Sequence, residues 1–238
     1  MKNQAGWNRG SGKEGQCKAA SYKRPFDLAI LIVAHLILAP VWLLIWVLIP
    51  LAIWIGDRGP IFYGQVRIGC RGRTFVARKF RTMVVNADAV GRPWTVERDP
   101  RITRVGRVLR KTALDELPQV LSIWRGDLSL VGPRALDVRE HSVLEASIPG
   151  FSRRLTVLPG LTGLAQVYDR TDDAATKLRL DLEYAQKMNP VLDLRLIALS
   201  LVNSVAGRWD RRSGKAALTG DRTSGRSVQE EEPRNPPK

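Results

Sequence analysis

The longest apolar stretch of the chain lies near its N-terminus, at residues 26–56, and reads FDLAILIVAHLILAPVWLLIWVLIPLAIWIG. As a straight α-helix, Leu28 to Ile55 would extend about 42 Å, against a hydrocarbon core of roughly 30 Å. Pro40 removes a backbone hydrogen bond from the middle of this run, so a kink is expected there. The stretch starts too late and runs too long for a cleaved signal peptide. The pattern therefore predicts a membrane-embedded helix over residues 22–56, hinged at Pro40.

Basic residues flank this apolar run on both sides, and they are Lys18, Lys23, Arg24, Arg58, Arg67, Arg71 and Arg73. Because Lys and Arg are enriched on the cytoplasmic side of membrane segments, both ends are expected on that side. A re-entrant helix, which enters and leaves by the same face, meets this condition. A spanning helix that tolerates its proline is the alternative, and the pattern does not choose between the two.

Beyond the apolar run the pattern changes to short β-prone segments. Residues 61–63 and 74–77 are rich in β-branched and aromatic side chains, and the sequence GCRG at 69–72 lies between them. Two β-prone segments around a glycine-containing turn predict a hairpin. This hairpin would lead directly into the segment KFRTM at 79–83.

Two helices are expected after the hairpin. Arginine at every third position over residues 101–110 predicts a basic stripe on the first helix. The second helix begins either at Thr112, whose hydroxyl would form a capping box with Asp115, or nearer Leu117, because Pro118 is disfavoured inside a helix. The side chains that would line its buried side are Leu114, Leu117, Leu121 and Trp124.

These elements predict an α+β fold that is mostly α-helical, with the helical body lying on the membrane surface. The chain divides into a disordered polar tail at residues 1–21, the membrane helix at 22–56, a cytosolic domain at 57–206 and a second disordered tail, rich in Pro and Gly, at 207–238. Neither tail has enough apolar side chains to form a core of its own.

Composition narrows the class of partner. The 238 residues are 44% apolar and carry a formal charge of +15, which is typical of proteins that bind nucleic acid, anionic lipid or phosphorylated substrates. Cys17 and Cys70 have neither metal-ligand spacing nor the pattern of a disulfide framework, so a reduced, cytoplasmic setting is expected. His35 and His141 are far apart in the chain, which disfavours a histidine metal site or a catalytic triad.

The charge is concentrated between residues 61 and 134, which hold 15 Lys/Arg and 6 Asp/Glu residues, a net charge of +9. Asp115 and Glu116 interrupt this basic segment near a predicted helix N-terminus, where the macrodipole favours an ionised carboxylate by about 0.3–1 kcal/mol. Carboxylates among phosphate-binding arginines can hold Mg²⁺ on a diphosphate, attack phosphorus, or do both. A structural ion-pair network is the alternative.

A membrane-anchored module that binds nucleic acid or anionic lipid would also explain the positive charge. Such a module leaves the acidic pair without a role. Aromatic residues are also not interleaved with the arginines, as stacking platforms for bases would require. We therefore expect no nucleic-acid partner.

An ordered set of motifs runs through residues 20–206. The strongest is DPRITRVGRVLRKTALDELPQ, which is followed by GDLSLVGPR, PGLTGLAQV and LDLEYAQKMNPVLDLRL; KRPFD and GPIF border the apolar run. In these motifs the chain resembles the bacterial sugar transferases, which are small membrane-embedded polyprenyl-phosphate glycosyl-1-phosphate transferases. An isolated Asp-Glu pair has little meaning, whereas this ordered set is highly specific.

The resemblance implies a phosphoglycosyl transferase with a covalent mechanism. Asp115 matches the nucleophile that attacks the β-phosphorus of a UDP-sugar and releases UMP, after which polyprenyl phosphate takes the sugar phosphate from the aspartyl intermediate. Glu116 matches its partner, which is associated with Mg²⁺, or Mn²⁺ in its place, so both carboxylates are candidate metal ligands. The sugar should keep its anomeric configuration, because the reaction takes place at phosphorus. We expect the arginines and the helix N-terminus to hold the pKa of Asp115 low.

The resemblance also assigns binding residues. The positions that match phosphate-binding residues are Lys79, Arg81, Arg110 and Arg134, and those that match the nucleotide or sugar pocket are Gln166 and Arg170. Ala135 stands where the family usually has proline, and residues 168–170 read YDR where the family commonly has Asn-Gly-Arg. The second departure affects the pocket, so the identity of the sugar is not carried over.

A re-entrant, monotopic membrane helix hinged at a proline is also implied, with the catalytic body on the cytoplasmic face of the bacterial inner (plasma) membrane. Pro40 is the matching hinge. The expected partners are a UDP-sugar, polyprenyl (undecaprenyl) phosphate and the lipid bilayer, with downstream glycosyltransferases and an oligomer as further partners. The product would enter exopolysaccharide, lipopolysaccharide or another glycoconjugate.

Overall fold

The structure is a computed structural model that describes Cys17 and residues 20–87, 99–169 and 173–206. The predicted C-terminal tail at 207–238, most of the N-terminal tail and Arg170 lie outside the described residues. The described part is mainly helical and contains two short two-stranded sheets. This composition confirms the prediction of an α+β, mostly α-helical fold.

Two helices form the apolar segment, α1 (Lys23–Ile37) and α2 (Ala39–Gly56), and they are separated at Leu38. Pro40 lies in the first turn of α2, where its missing N–H would have no partner within the helix. By length and composition α2 could cross a membrane, with a mean hydropathy of 2.2 and 11% of the segment buried. The predicted single helix is therefore two helices, interrupted next to the expected hinge residue.

Both ends of the apolar segment are attached to the same folded body. At its start, Lys23 Nζ lies 2.6 Å from Asp193 Oδ2 and 2.8 Å from the Tyr184 hydroxyl. At its end, the backbone oxygen of Asp57 accepts a hydrogen bond from Arg81, and the Asp57 carboxylate lies 3.5 Å from Arg81 Nη1. The α1–α2 segment thus leaves the body and returns to it.

Cys17 and Cys70 form a disulfide, with 6.2 Å between their Cα atoms. The sequence pattern indicates no disulfide framework and a reduced setting, and this one disulfide is a departure from that expectation. The two cysteines are 53 residues apart in the chain, and Cys70 lies in the turn of the hairpin. Sequence spacing carries no signal for such a contact.

The predicted hairpin is confirmed. β1 (Phe62–Ile68) and β2 (Thr74–Phe80) pair antiparallel, with Phe62 opposite Phe80. A short 3₁₀ turn joins the strands at the GCRG sequence. The ring centroids of Trp46 and Phe80 are 5.4 Å apart, so the hairpin packs against α2.

The described remainder of the body consists, in chain order, of α3 (Arg104–Thr112), a 3₁₀ helix (Leu114–Gln119), α4 (Val120–Arg125), β3 (Ser129–Val131), α5 (Val138–Ser147), a 3₁₀ helix (Phe151–Thr156), β4 (Gly160–Thr162), α6 (Leu164–Tyr168), α7 (Ala174–Lys187) and α8 (Pro190–Val205). β3 and β4 pair in parallel, with Ser129 opposite Gly160. This pairing places the GPR sequence after β3 beside the PGLTG sequence that contains β4.

The buried side of α4 differs from the prediction. Val120 and Ile123 are buried, whereas Leu121 and Trp124 are 43% and 40% exposed. The Trp124 ring packs edge-on against His35 of α1, with 6.2 Å between centroids. The prediction holds in part for Leu114 and Leu117, which pack partly buried against the core cluster of Ile53, Phe80 and Leu109. It is wrong for Leu121 and Trp124, because the predicted helix began at Thr112 or near Leu117, whereas the α-helix begins only at Val120.

Candidate active site

The candidate site begins where α3 lies against the segment after β2. A Cβ atom on Gly106 would lie 2.0 Å from Thr82 O, so only glycine allows this approach. Thr103 N donates to Thr82 O at 3.0 Å, and the Thr103 hydroxyl caps α3 by accepting from Gly106 N at 2.9 Å. In the last turn of α3, Arg110 Nε donates to the Thr82 hydroxyl at 2.9 Å. These contacts fix α3 and its end beside β2.

A left-handed residue, Ala113 at φ 56°, ends α3 and turns the chain into the 3₁₀ helix that carries the acidic pair. The Thr112 hydroxyl donates to Val108 O at 3.0 Å and closes α3, so the predicted capping box with Asp115 is wrong. Both carboxylates lie in the first turn of the 3₁₀ helix. The expectation of an acidic pair near a helix N-terminus is therefore confirmed, although that helix is a 3₁₀ helix.

Glu116 is bound by two cations from distant parts of the chain. Lys79 Nζ of β2 lies 2.6 Å from Glu116 Oε1, and Arg134 Nη2 of the GPR sequence lies 2.9 Å from the same oxygen. Burial alone would raise the pKa of Glu116, but Arg134, Lys79 and Arg67 together hold that pKa well below its ordinary value. Glu116 is thus a permanently charged carboxylate at neutral pH.

Asp115 has the opposite environment. It is 8% exposed, and its carboxylate forms no hydrogen bond or ion pair with any residue that the structure describes. Burial raises the pKa of Asp115 to about 6, with a further rise from Glu116, while Lys79, Arg110 and Arg134 act in the lowering direction. The expectation of a low pKa is therefore wrong, because loss of hydration outweighs the surrounding cations.

The other predicted phosphate-binding residues lie at different distances from this centre. Arg110 and Arg134 both act electrostatically on Asp115. Arg81 is 7% exposed and binds Asp57 at the end of α2, and the structure contains no contact between Arg81 and the acidic pair. A phosphate-binding role for each of these residues stays a prediction.

The predicted pocket residue Gln166 is buried in α6. A Cβ atom on Gly163 would lie 2.5 Å from Gln166 Oε1, so the side chain folds back on the PGLTG sequence. Its partner in the prediction, Arg170, lies outside the described residues. A nucleotide or sugar contact of either residue stays a prediction.

Arg67 is a residue of the site that the sequence analysis treated only as a flanking charge. It is buried in β1, where Nη1 donates to Ala135 O at 2.5 Å and Nη2 to Gln65 Oε1 at 3.0 Å. Its charge lowers the pKa of Glu116. Arg67 occupies an inward position of a strand, but no sequence pattern separates it from the exposed arginines nearby.

Several cations surround the acidic pair. Those that act on it are Arg67, Lys79, Arg110 and Arg134, while Glu140 acts in turn on Arg67 and Arg134, and Asp137 acts on Arg67. The side chain of Arg134 is 30% exposed, so it is open to an anion from solution. The arrangement therefore fits a ligand with several negative charges, such as a diphosphate.

A metal site built from protein ligands alone is absent from the described residues, in which no group of three or more His, Cys, Asp or Glu side chains could hold an ion. Mg²⁺, however, commonly takes one or two carboxylates and completes its shell with water and substrate phosphates. Asp115 has no protein partner among the described residues, and both Lys79 and Arg134 bind Glu116 through Oε1. The pair therefore fits an ion that arrives with a phosphorylated substrate.

Comparison with known proteins identifies one family over most of the chain. Residues 18–207 match the sequence profile of the family described as bacterial sugar transferase. This range contains the apolar segment, the hairpin, the acidic pair and the helices up to α8.

Three similar proteins carry names that describe their roles. The exopolysaccharide production protein ExoY of Sinorhizobium fredii is 40% identical over 191 residues, covering 74% of this chain and 81% of that protein. The UDP-glucose:undecaprenyl-phosphate glucose-1-phosphate transferase of Caulobacter vibrioides is 36% identical, covering 74% of this chain and 66% of that protein. The undecaprenyl-phosphate galactose phosphotransferase of Salmonella typhimurium is 35% identical, covering 74% of this chain and 38% of that protein.

Proposed function

The chain belongs to the bacterial sugar transferase family, and on that premise we propose that it transfers a sugar 1-phosphate from a UDP-sugar to undecaprenyl phosphate and releases UMP. The product, a polyprenyl diphosphate sugar, would begin the assembly of an exopolysaccharide or another glycoconjugate. The similar proteins are named for glucose and for galactose. Their names therefore leave the sugar open.

The observation that carries the proposal is that Asp115 and Glu116, although adjacent, have different surroundings. Asp115 is buried and has no hydrogen-bond partner among the described residues, whereas Glu116 is bound by Lys79 and Arg134. A carboxylate that is poorly hydrated and makes no direct contact with a cation is the better nucleophile. Asp115 is accordingly the attacking group, and Glu116 holds the two cations in position.

The reaction balances as two displacements at one phosphorus atom. An Asp115 carboxylate oxygen forms a bond to the β-phosphorus of the UDP-sugar, and the bond from that phosphorus to the bridging oxygen breaks and releases UMP. A phosphate oxygen of undecaprenyl phosphate then attacks the same phosphorus, and the Asp115–phosphorus bond breaks to restore the carboxylate. The bond between the sugar C1 and its oxygen is never broken, so the anomeric configuration is retained.

Cationic side chains lower the barrier to both displacements. Arg134, whose side chain is 30% exposed and lies beside Glu116, is accessible to a phosphate that approaches Asp115. A guanidinium can bind two phosphate oxygens at once, and Lys79 adds a point charge next to it. Such preorganised charges act on the developing negative charge of the transition state.

We propose Mg²⁺ as the cofactor, with Mn²⁺ as a substitute. Asp115 and Glu116 would hold it together with phosphate oxygens of the substrate. When bound, the ion screens the charge of the diphosphate.

We also propose a re-entrant, monotopic topology with the catalytic body on the cytoplasmic face of the inner membrane. The attachment of Lys23 to Asp193 and of Arg81 to Asp57 supports it, because both ends of the α1–α2 segment are bound to one body. Basic flanks favour the cytoplasmic side for both ends.

The decisive experiment measures UMP release by the purified protein in detergent or nanodiscs with Mg²⁺, undecaprenyl phosphate and each member of a panel of UDP-sugars. The proposal requires release that depends on both the donor and Asp115. A module that only binds anionic lipid or nucleic acid would release no UMP with any donor.

A further inference from the structure

We propose that Arg154, held by Asp181, is a positioning residue that fixes Arg134 beside the acidic pair. Arg154 lies in the 3₁₀ helix Phe151–Thr156 and makes no contact with Asp115 or Glu116 in the structure. Its effect on the reaction passes through the backbone of Arg134. This inference rests on the proposed function, because it concerns the geometry of the same site.

The ion pair between Arg154 and Asp181 is fully buried, with both side chains 1% exposed and 2.7 Å between Arg154 Nε and Asp181 Oδ2. The Arg154 guanidinium also lies over the Phe151 ring, 5.2 Å from its centroid. A buried ion pair contributes little net stability, because the cost of removing both ions from water offsets their attraction. A contribution to stability therefore does not by itself explain why Arg154 and Asp181 are buried together.

A second nitrogen of the Arg154 guanidinium binds the backbone of the segment that carries Arg134. Arg154 Nη2 donates to Arg134 O at 2.8 Å, while the side chain of Arg134 donates to Glu116 at 2.9 Å. Asp181, Arg154, Arg134 and Glu116 thus form one continuous chain of charge-assisted contacts.

Arg134 depends on its backbone for its position. Its side chain is 30% exposed, so packing alone leaves it freedom to turn away from Glu116. The backbone is held on both sides of Arg134 O, since Gly160 N donates to Pro133 O at 2.9 Å and Arg67 Nη1 donates to Ala135 O at 2.5 Å. Three consecutive carbonyl groups are therefore bound by three different parts of the chain.

Helix α7 holds the same segment at a second point. Tyr184 lies one turn after Asp181, and its hydroxyl lies 3.0 Å from Val131 O. Helix α7 therefore holds both ends of the segment from Val131 to Arg134. Tyr184 binds Val131 directly, and Asp181 acts on Arg134 through Arg154. The two arginines that bind the carbonyl groups of residues 134 and 135 differ in one respect. Arg67 acts on the charge of Glu116 itself, whereas Arg154 reaches the pair through Arg134.

The test is a double-mutant cycle on kcat/KM for UMP release. Arg154→Lys keeps a charge for Asp181 but loses the fork that reaches Arg134 O. In the wild-type background we expect a loss of about tenfold to a hundredfold, as small misplacements of binding groups produce. In the Arg134→Met background, which has no guanidinium to position, the same substitution should cost less than about twofold. Equal losses in the two backgrounds would overturn the proposal.

Two controls separate positioning from loss of fold. Arg101→Lys alters another largely buried ion pair, the one between Arg101 and Asp99. This substitution should leave kcat/KM unchanged in both the wild-type and the Arg134→Met backgrounds. If Arg154→Lys does not fold, Asp181→Asn replaces it in the cycle, because asparagine keeps the shape and one acceptor oxygen. A folded Asp181→Asn variant with a loss in kcat/KM that is additive to that of Arg134→Met would also overturn the proposal. Wild-type protein and Asp115→Asn, assayed alongside, report on the proposed function independently of the cycle.

Discussion

Asp115 and Glu116 are adjacent in one turn of a 3₁₀ helix, yet their pKa values are shifted in opposite directions. Burial raises the pKa of Asp115 to about 6, whereas Arg134, Lys79 and Arg67 overcome burial and hold the pKa of Glu116 well below its ordinary value. Neighbouring carboxyl groups with separated pKa values commonly have different tasks in an active site. The difference supports the proposal that Asp115 attacks phosphorus and Glu116 binds the cations.

Replacement of the proposed nucleophile should abolish turnover without harming the fold. We expect Asp115→Asn to reduce UMP release by about 10⁴–10⁶-fold, in the range found for covalent catalytic groups. Ionised Asp115 is destabilising in its buried site, so the neutral variant should be more stable at pH 7, by an amount on the order of 1–3 kcal/mol. Denaturant unfolding and mass spectrometry of the sugar-phosphate adduct measure the two effects. Substantial activity at early times, before deamidation restores Asp, would contradict the assignment.

Activity should fall on acidification through the pKa of Asp115. Only the ionised carboxylate attacks phosphorus, so kcat/KM should be constant well above pH 6 and decline tenfold per unit below it. Stability should change in the opposite direction. Because the folded pKa of about 6 exceeds the ordinary value of 3.8, protonation of Asp115 stabilises the fold as the pH falls from about 6 towards 4. A pH–rate profile with its acid limb near 4 would contradict the raised pKa.

The pH at which kcat/KM declines on acidification, the acid limb of the profile, should depend on Lys79. Of the groups that lower the pKa of Asp115, Lys79 has the largest effect, and it also binds Glu116. Lys79→Met should therefore move the acid limb to higher pH and reduce the maximal rate. The matched control is Lys187→Met, which removes an exposed lysine paired with Glu183 and should leave the profile unchanged. An acid limb at the same pH in Lys79→Met and wild-type protein would show that Lys79 does not lower the pKa of Asp115.

Removal of divalent cations should stop the reaction. A diphosphate and an attacking carboxylate repel each other unless a cation screens their charges. Among the described residues, Asp115 and Glu116 are the carboxylates that would hold such a cation. We expect excess EDTA to abolish UMP release and Mg²⁺ or Mn²⁺ to restore it, with EDTA presaturated with Mg²⁺ as the control. Full activity in excess EDTA would leave the arginines and Lys79 as the phosphate-binding groups.

The membrane segment should return both termini to the cytoplasm. Reporter tags at residues 1 and 238 are expected to be protected from labelling at the outer face. Pro40→Ala should join α1 to α2 and give a fraction of molecules with an external N-terminus, because a continuous helix is long enough to span. Pro50→Ala, inside α2 and away from the break at Leu38, is the matched control and should not change the topology. An external N-terminus in the wild-type protein would rule out the re-entrant form.

Sequence alone determined the features that depend on local pattern. The apolar run, the turn at residues 69–72 and the acidic pair beside a helix N-terminus each follow from neighbouring residues, because hydrophobic periodicity and turn chemistry act over a few positions. The ordered motifs around Asp115 and Glu116 also sufficed to indicate the family. These elements appear in the structure close to where the sequence predicts them.

Only the tertiary structure decided which charges meet and how deeply they are buried. Arg81 binds Asp57 and Arg67 reaches the site, although both are arginines of the same hairpin region. The pKa of Asp115 rises because residues far apart in the chain close over it and exclude water, and desolvation depends on the complete fold. Arg154 contacts Arg134 O and Cys17 contacts Cys70 for the same reason, since such pairs are fixed by packing between elements and leave no periodic trace in the sequence.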